Sequence, residues 1–369
     1  MRGFLKLAVR AVSCIPRRPF SGGRPPAPLG GRILTDPEDI FQHNMWDHVQ
    51  WTEEETEKAR QKAEENSKEK IPVEEQSKYD REAHKYWDRF YEMHQRKFFR
   101  NRTWLFTEFP ELLPPDTTGL CLPEQEQEQE QEQEQGGGVD SCSESGNREK
   151  QQPCASSTLT SHMNTFPGQH AAFRILEVGC GAGNSVFPII STIRGSKAFL
   201  YCCDFSSQAI ELIQEHPDYD PAVCHAFVRD ICDTASPFPF PPESLDIILV
   251  VFVLSAIHPV RRAQDAVRAL AGFLKQGGIV LFRDYGRYDL AQLRFKKGQC
   301  LSENFYKRQD GTCVYFFTKD EVHHLFSNAG LEELQNLEDR RLQVNRGKKV
   351  VMHRVWTQSK YRKPCLISD

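Results

Sequence analysis

The sequence predicts an α/β fold built on a Rossmann-like, mostly parallel β-sheet, preceded by a helical extension. From residue 173 onward, apolar stretches of strand length alternate with helical segments. This alternation is typical of a parallel sheet covered by helices on both faces. The first stretch also runs directly into a glycine-rich loop, in RILEVGCGAGNSVF at residues 174–187. In such sheets ligands bind beyond the carboxyl ends of the strands, so the loop predicts a binding site.

The elements follow from the runs of apolar residues and from the turn residues between them. The predicted elements are strands at 173–179, 198–204, 224–230, 245–255 and 278–284, helices starting at Asn184 and Ser206, and a helix over 261–275. The carboxyl ends of parallel strands meet at one edge. We therefore expect these strand ends to lie together: Gly179, Asp204, Asp230, Ser255 and Asp284.

The segments outside this domain differ in composition. Residues 1–35 contain no acidic residue, and Arg2, Lys6 and Arg10 recur every four residues, which predicts a mitochondrial transit peptide over residues 1–20 and a location in the matrix. A disordered basic tail is the alternative. The remaining predicted segments are a helical, aromatic extension at 21–113, a disordered linker with a Glu-Gln repeat at 114–171, a catalytic domain at 172–364 and a tail at 365–369.

Composition excludes some classes of function. The net charge is −4, and no apolar run is long enough to span a membrane; the longest is 247–257. Twelve cysteines are present, but none forms a Cys-x-x-Cys pair and none has zinc-finger spacing. We therefore expect neither a metal site nor a membrane anchor, and interpret the cysteines as reduced, small apolar residues.

The glycine loop has the spacing of a particular ligand class. It lacks the lysine of a nucleoside-triphosphate loop, and its Gly179-x-Gly181-x-Gly183 pattern is one residue shorter than the dinucleotide fingerprint. With Glu177 before it, the loop matches the first motif of class I S-adenosylmethionine-dependent methyltransferases. Such enzymes have a seven-stranded, mostly parallel sheet. Glycine lets the backbone close on a ligand where a Cβ would clash.

Two acids extend the prediction to the rest of an adenosine ligand. Asp204 ends the second strand and is placed to accept hydrogen bonds from both ribose hydroxyls. Its alternative role, capping the next helix, can be filled by Ser206 instead. Asp230 ends the third strand and is placed to accept from the adenine amino group. The predicted cofactor is therefore S-adenosyl-L-methionine.

Longer motifs resemble one methyltransferase family. They are KYWDRFY, RKFFRNRTWLFTEFPEL, FVLSAIHP, FRDYGRYD and DRRLQVNR. Over 33–113 and 172–364 the chain resembles the enzymes that form N3-methylcytidine in tRNA, most closely the mitochondrial branch. The resemblance implies action on cytosine 32 of the anticodon loop of mitochondrial threonine and serine tRNAs. It leaves open dependence on a partner such as seryl-tRNA synthetase. It also implies cofactor contacts at Trp87, Tyr91, Gly179, Asp204, Asp230 and Val251, beside Gly181 in the loop.

The resemblance has one clear departure. The family usually reads Arg-Gly-Asp-Gly-Thr-Arg where this chain has Arg308-Gln309-Asp310-Gly311-Thr312-Cys313. An RNA contact from the missing basic residue is therefore in doubt, and Lys307 is a candidate substitute.

The expected catalytic residues follow the fourth and fifth strands. Cytosine N3 has a free lone pair at neutral pH, so the enzyme must align the base and tolerate the cation that forms. We expect the carboxylate of Asp284 beside the base, with Arg283 and Tyr285 positioning it and His258 lining the pocket. The alternatives are an arginine partner for Asp284, a structural pairing of Arg283, and a turn role for His258 before Pro259.

Basic residues predict the RNA surface, because lysine and arginine hold phosphates and nearby aromatics stack unpaired bases. The candidates are Arg96, Lys97, Arg100, Arg102, Arg294, Lys296, Lys297, Arg340, Arg341 and Arg346. Two other functions remain open at this point. One is a class I methyltransferase acting on a small molecule or protein, and the other is a non-catalytic RNA-binding protein that keeps the fold.

Overall fold

The computed structural model describes residues 31–115, 165–233, 235–258 and 260–365. The predicted transit peptide and the Glu-Gln repeat lie outside these residues. In chain order the elements are β1 (Met45–Trp46), α1 (Glu53–Ser67), α2 (Val73–Arg81), α3 (Ala83–His94), α4 (Leu105–Glu108), β2 (Phe173–Val178), α5 (Val186–Ile193), β3 (Ala198–Asp204), α6 (Ser207–Gln214), β4 (Cys224–Val228), β5 (Leu245–Val251), α7 (Val260–Phe273), β6 (Leu274–Tyr285), α8 (Leu290–Leu293), β7 (Cys300–Ser302), β8 (Phe305–Lys307), β9 (Cys313–Tyr315), α9 (Lys319–Ser327), β10 (Glu332–Asn345) and β11 (Val350–Arg362).

The main sheet has the strand order β1-β10-β11-β6-β5-β2-β3-β4. Strands β6, β5, β2, β3 and β4 run parallel, whereas β11 and β10 are antiparallel. The predicted α/β class and the seven-stranded, mostly parallel sheet are confirmed. An eighth, two-residue strand, β1, comes from the N-terminal extension and pairs with β10, where Trp46 packs against Leu342 and Val344.

Burial explains the continuous apolar runs. All seven residues of β3 are buried, because helices cover both faces of the sheet. Several predicted boundaries differ from the structure; among them, the strand predicted over 224–230 ends at Val228 and the helix predicted over 261–275 ends at Phe273. The strand predicted over 245–255 ends at Val251, because Phe252 has φ +60° and residues 254–256 form a 3-10 turn. The strand predicted over 278–284 begins earlier, at Leu274, and the helix predicted from Asn184 begins at Val186.

The extension packs on the sheet domain rather than standing apart from it. Thr52 and Glu55 form a capping box that starts α1. Helix α3 buries Phe90 and Tyr91 against Ala182 of the glycine loop and Ala209 of α6. No helix in the described ranges is long and apolar enough to cross a membrane.

Candidate active site

A cavity of about 600 Å³ opens at the carboxyl edge of the parallel strands. Its walls come from α3 and the segment after it, from the glycine loop, from the ends of β5 and β6, and from residues 291–313. Five of the predicted cofactor residues line it: Trp87, Tyr91, Gly179, Gly181 and Val251. The tertiary structure therefore brings the aromatic helix and the glycine loop together across the intervening linker.

The glycine loop leaves no room for side chains. Gly179 and Gly181 have φ +61° and +53°, in the left-handed region that favours glycine. A Cβ at Gly179 would lie 2.5 Å from Cγ2 of Val253, and one at Gly181 would lie 2.7 Å from the Tyr91 hydroxyl oxygen. Trp87 and Tyr91 stack with ring centroids 5.9 Å apart. Helix α3 thus lies directly over the loop.

Asp204 lies behind the loop, and it is not among the side chains that line the cavity. Its Oδ2 accepts a hydrogen bond from the Gly181 N–H at 3.0 Å, and its Oδ1 accepts one from the Ser206 N–H at 2.9 Å. Burial raises the pKa of this carboxyl to about 6. Ser206 caps α6 by accepting from the Ala209 N–H, so the cap does not need Asp204.

Asp230 lies in the loop after the neighbouring strand, β4. Its Oδ1 accepts from the Cys232 N–H at 2.8 Å, and its Oδ2 is 3.9 Å from Nη2 of Arg262. Arg262 also contacts Asp80 of α2. Asp230 does not line the cavity, and its side chain is 43% exposed. The strand predicted over 224–230 ends at Val228, so Asp230 lies in the following loop rather than at the strand end.

Glu177 and Arg102 lie beside the glycine loop. Glu177 is buried, its Oε2 has no hydrogen-bond partner within the described part of the chain, and burial raises its pKa to about 7. Arg102 lowers that pKa, and its Nη1 donates to Ser185 Oγ at 3.2 Å. Its backbone N–H donates to the Asn184 carbonyl. Arg102 lines the cavity and joins the extension to the loop.

The other end of the cavity is aromatic and basic. Phe252 and Tyr285 have ring centroids 5.0 Å apart, and the Arg308 guanidinium lies 5.6 Å from the Tyr285 ring centroid. Asp310 also lines this end, where its Oδ1 accepts from the Thr312 N–H and hydroxyl at 2.9 and 2.7 Å. Sequence reasoning assigned no role to Phe252, Arg308 or Asp310. The only sequence feature that singled out Arg308 and Asp310 was their position in the hairpin that departs from the family pattern.

Comparison with known proteins identifies the family. Residues 176–280 match the family model described as Methyltransferase domain. The chain is 52% identical over 335 residues to "tRNA N(3)-cytidine methyltransferase METTL2" of Danio rerio, covering 91% of this chain and 89% of that relative. It is 51% identical over 365 residues to "tRNA N(3)-cytidine methyltransferase METTL2B" of Homo sapiens, covering 92% and 94%.

The chain belongs to the tRNA N(3)-cytidine methyltransferase family.

Another member of this family is named as mitochondrial. "tRNA N(3)-cytidine methyltransferase METTL8, mitochondrial" of Homo sapiens is 48% identical over 284 residues, covering 68% of this chain and 96% of its own. Among solved structures, a SAM-dependent methyltransferase from Methanosarcina mazei covers 53% of this chain and 95% of its own at 15% identity. Its TM-score of 0.39 is too low to carry an argument. Membership confirms the methyltransferase prediction, and S-adenosyl-L-methionine is the cofactor.

Three of the expected catalytic residues need correction. Asp284 is fully buried and does not line the cavity. Its oxygens accept from the N–H groups of Ser255 and Tyr285, so it supports the wall from behind instead of touching a base. Arg283 is 2% exposed and hydrogen-bonds Gln358 and Asp339, which is the structural alternative.

His258 is the third correction. It lies outside the large cavity and lines a separate cavity of about 30 Å³. Its ring stacks on Phe305 at 4.5 Å, and its Nε2 is 3.0 Å from Ser302 Oγ. Burial lowers its pKa. Tyr285, in contrast, lines the large cavity as expected.

The predicted RNA residues divide into two groups. Arg96, Lys97, Arg100, Lys296 and Lys297 are exposed, as are Arg294 and Arg346. Arg341 is not available to RNA, which corrects the prediction, because its guanidinium is only 13% exposed and pairs with Asp339, Glu108 and Asp47. Arg340 is half-buried between Glu338 and the ring of Trp51. The first two arginines of the family motif DRRLQVNR are therefore paired within the fold, whereas the third, Arg346, is exposed.

Proposed function

We propose that this protein transfers a methyl group from S-adenosyl-L-methionine to N3 of cytosine 32 in the anticodon loop of tRNA. One observation carries the proposal. A single cavity of about 600 Å³ joins the glycine loop to a pocket of aromatic, basic and acidic side chains. This arrangement suits a cofactor at one end and an unstacked nucleotide at the other. The relatives' printed names supply the reaction.

The residues at the glycine-loop end fit the cofactor. Gly179 and Gly181 line this end of the cavity with bare backbone, since a Cβ on either would clash with Val253 or Tyr91, and Trp87 and Tyr91 line the same end. Asp204 ends β3, where the ribose is expected, and Asp230 lies in the loop after β4, where the adenine is expected. The bound cofactor supplies an electrophilic methyl group on a sulfonium. The chain's task at this end is to hold and orient it.

The aromatic end suits a flipped pyrimidine. A stacked or paired N3 is out of reach, so the base must leave the loop and lie against Phe252 and Tyr285. N3 already carries a lone pair, so these residues need only align the base and exclude water.

Asp310, rather than Asp284, is placed to offset the charge on the base. Among the described residues it is the only acid that lines the cavity. Its Oδ1 is used by Thr312, and its Oδ2 has no hydrogen bond within the described part of the chain. A carboxylate here would accept from the cytosine amino group and offset the cation formed on the ring. Uracil would place a carbonyl oxygen at the same point and be rejected.

Exposed basic residues lie beside both sides of this cavity. Arg96, Lys97 and Arg100 follow α3, and Arg294, Lys296 and Lys297 follow α8. Arg100 and Arg294 themselves line the cavity. Phosphates flanking a flipped nucleotide would run along these two segments, because lysine and arginine supply the sequence-independent part of RNA affinity.

The location and the tRNA set are also part of the proposal. Residues 1–20 would direct the chain to the mitochondrial matrix, and one relative is named as mitochondrial. The substrates would then be mitochondrial threonine and serine tRNAs, with seryl-tRNA synthetase as a candidate partner. Deleting residues 1–20 should leave activity in vitro and abolish import. Import of the truncated chain would refute the leader.

The decisive experiment offers the purified protein S-adenosylmethionine with a labelled methyl group and in vitro transcribed mitochondrial threonine and serine tRNAs. Nucleoside mass spectrometry should find N3-methylcytidine, and a transcript with uridine at position 32 should remain unlabelled. Label in protein or in a small molecule would favour the other methyltransferase class. Tight RNA binding without cofactor binding would favour a non-catalytic protein. Adding seryl-tRNA synthetase as a separate arm tests the partner.

A further inference from the structure

Helix α3 carries Asp88 beside Trp87 and Tyr91, the two aromatic residues that lie over the glycine loop. Trp87, Asp88 and Tyr91 lie within one turn, and residues three and four apart are neighbours on a helix surface. Trp87 and Tyr91 line the cavity. Asp88 has no place in the cofactor or RNA assignments above, yet it is half-buried and directed at the sheet domain.

Asp88 contacts the domain through one serine. Ser206 Oγ donates to Asp88 Oδ1 at 2.6 Å. The same oxygen accepts from the Ala209 N–H at 3.2 Å, and the Ser206 N–H donates to Asp204 Oδ1 at 2.9 Å. Ser206 is fully buried. A single residue thus joins α3 and the start of α6 through its hydroxyl, and the acid expected to hold the cofactor ribose through its backbone N–H.

A second set of contacts leads from Asp204 back to α3. The other oxygen of Asp204 accepts from the Gly181 N–H, and Gly181 lies against the Tyr91 hydroxyl. Helix α3 therefore meets the glycine loop and the Asp204 region at two points one turn apart. It has no N-cap side-chain hydrogen bond of its own, and it ends at Gln95, whose φ is +49°. A short helix of this kind depends on tertiary contacts for its position.

We propose that Asp88 is a positioning residue that seats α3 over the cofactor through Ser206 and so sets the affinity for S-adenosyl-L-methionine. The inference rests on the cofactor placement proposed above. Asp88 does not contact the cavity, so the catalytic step with saturating cofactor is left unchanged. Without the Asp88–Ser206 hydrogen bond, α3 no longer holds Trp87 and Tyr91 in place over the cofactor, and the affinity for the cofactor falls.

The test titrates the full chain with S-adenosylmethionine by calorimetry, without RNA. Asp88→Ala should raise the dissociation constant about tenfold, the lower end expected for a hydrogen bond to a charged group. Asp88→Asn should restore most of the affinity, because its amide oxygen still accepts from Ser206. The matched control is Glu92→Ala, which removes an exposed acid of the same helix. With saturating cofactor, kcat should stay within about twofold in all three variants.

A second route keeps the test decisive if Asp88→Ala folds poorly. Ser206→Ala breaks the same bond from the other side, and Asp88→Ala added to it should cost nothing further. If the two substitutions lowered cofactor affinity additively, the proposed role of the Asp88–Ser206 hydrogen bond would be wrong. Wild-type cofactor affinity in folded Asp88→Ala would overturn it as well. Failure of the wild-type protein to bind the cofactor would instead remove the cofactor placement itself. The two failures are therefore distinguishable.

Discussion

Two arginine-rich regions of this molecule use the same side chain in opposite ways. Around the cavity, Arg96, Arg100 and Arg294 are exposed. Arg283 of β6, next to the antiparallel strands, lies between the rings of Trp104 and Trp356, 5.1 and 4.7 Å from their centroids. It also hydrogen-bonds Asp339. Arg341 pairs with Asp339, and also with Glu108 and Asp47 of the N-terminal extension.

The difference shows that a count of basic residues does not measure the charge available to RNA. An arginine taken out of water needs acidic partners to offset the loss of hydration, and such a pair is then committed to the fold. The antiparallel region holds the extension on the sheet, whereas the cavity region keeps Arg96, Arg100 and Arg294 exposed. Substitutions on each side of this division should therefore have different consequences for stability and for RNA binding.

Arg341→Met should destabilise the fold by about 3–5 kcal/mol, because the buried carboxylates of Glu108 and Asp339 would both lose this guanidinium, which leaves Glu108 with the Gln358 amide and Asp339 with Arg283. Urea unfolding measures the loss. The control is Arg346→Met on the exposed turn, which should change stability by less than about 0.5 kcal/mol. If Arg341→Met were as stable as wild type but lost tRNA affinity, Arg341 would belong with the RNA surface after all.

Asp204→Ala should weaken cofactor binding by about 10- to 150-fold, corresponding to hydrogen bonds of roughly 1.5–3 kcal/mol to a charged group. Calorimetry with S-adenosylmethionine gives the dissociation constant, and circular dichroism checks the fold. Asp218→Ala, an exposed acid after α6, is the control. Unchanged affinity in a folded variant would remove Asp204 from the cofactor site.

Cofactor affinity should also depend on pH. Burial raises the pKa of Asp204 to about 6, so the carboxylate that accepts hydrogen bonds is present above that pH and is lost as the pH falls through it. Affinity should fall up to about tenfold per pH unit below 6. Glu177 lies nearby and has a pKa of about 7, so the pH dependence is also measured in Asp204→Asn to separate the two carboxyls. A midpoint near 6 that persists in Asp204→Asn would assign the titration to another group.

Asp310→Asn should lower kcat and kcat/KM for tRNA together by roughly tenfold, because the lost charge acts only when the base becomes cationic. S-adenosylmethionine affinity should stay near wild type. Glu303→Gln, an exposed acid between β7 and β8 that does not line the cavity, should behave as wild type. Normal single-turnover rates in Asp310→Asn would refute its role.

Replacing Lys296 and Lys297 by Glu should weaken tRNA binding while leaving the fold and the cofactor affinity intact. The slope of log affinity against log salt concentration should flatten by about 0.7 for each single-strand phosphate that is no longer neutralised, or about 1.4 for two. Filter binding at several salt concentrations measures it. Lys348 and Lys349, exposed in the turn between β10 and β11, provide the matched charge-reversal control. An equal loss in that control would mean that binding follows net charge rather than the cavity region.

Much of the fold could be predicted because its signals are local. The apolar runs predicted β2, β3 and β4 to within two residues, since a strand buried on both faces must be apolar throughout. The glycine spacing and Asp204 predicted the cofactor. The end of the run at 245–255 was misplaced, because apolar residues continue past Val251 while the backbone turns at Phe252.

The sequence by itself therefore determined the class of sheet, the glycine loop and its cofactor, because each depends on residue type and spacing within a short stretch. Only the tertiary structure decided which charged groups are free to act. Asp284 and Arg283 adjoin Tyr285 in the chain, yet only Tyr285 faces the cavity. Asp310 reaches the cavity through a hairpin, and Asp88 reaches Asp204 across more than a hundred residues. Burial and pairing set what a charge can do, and both arise from contacts distant in sequence.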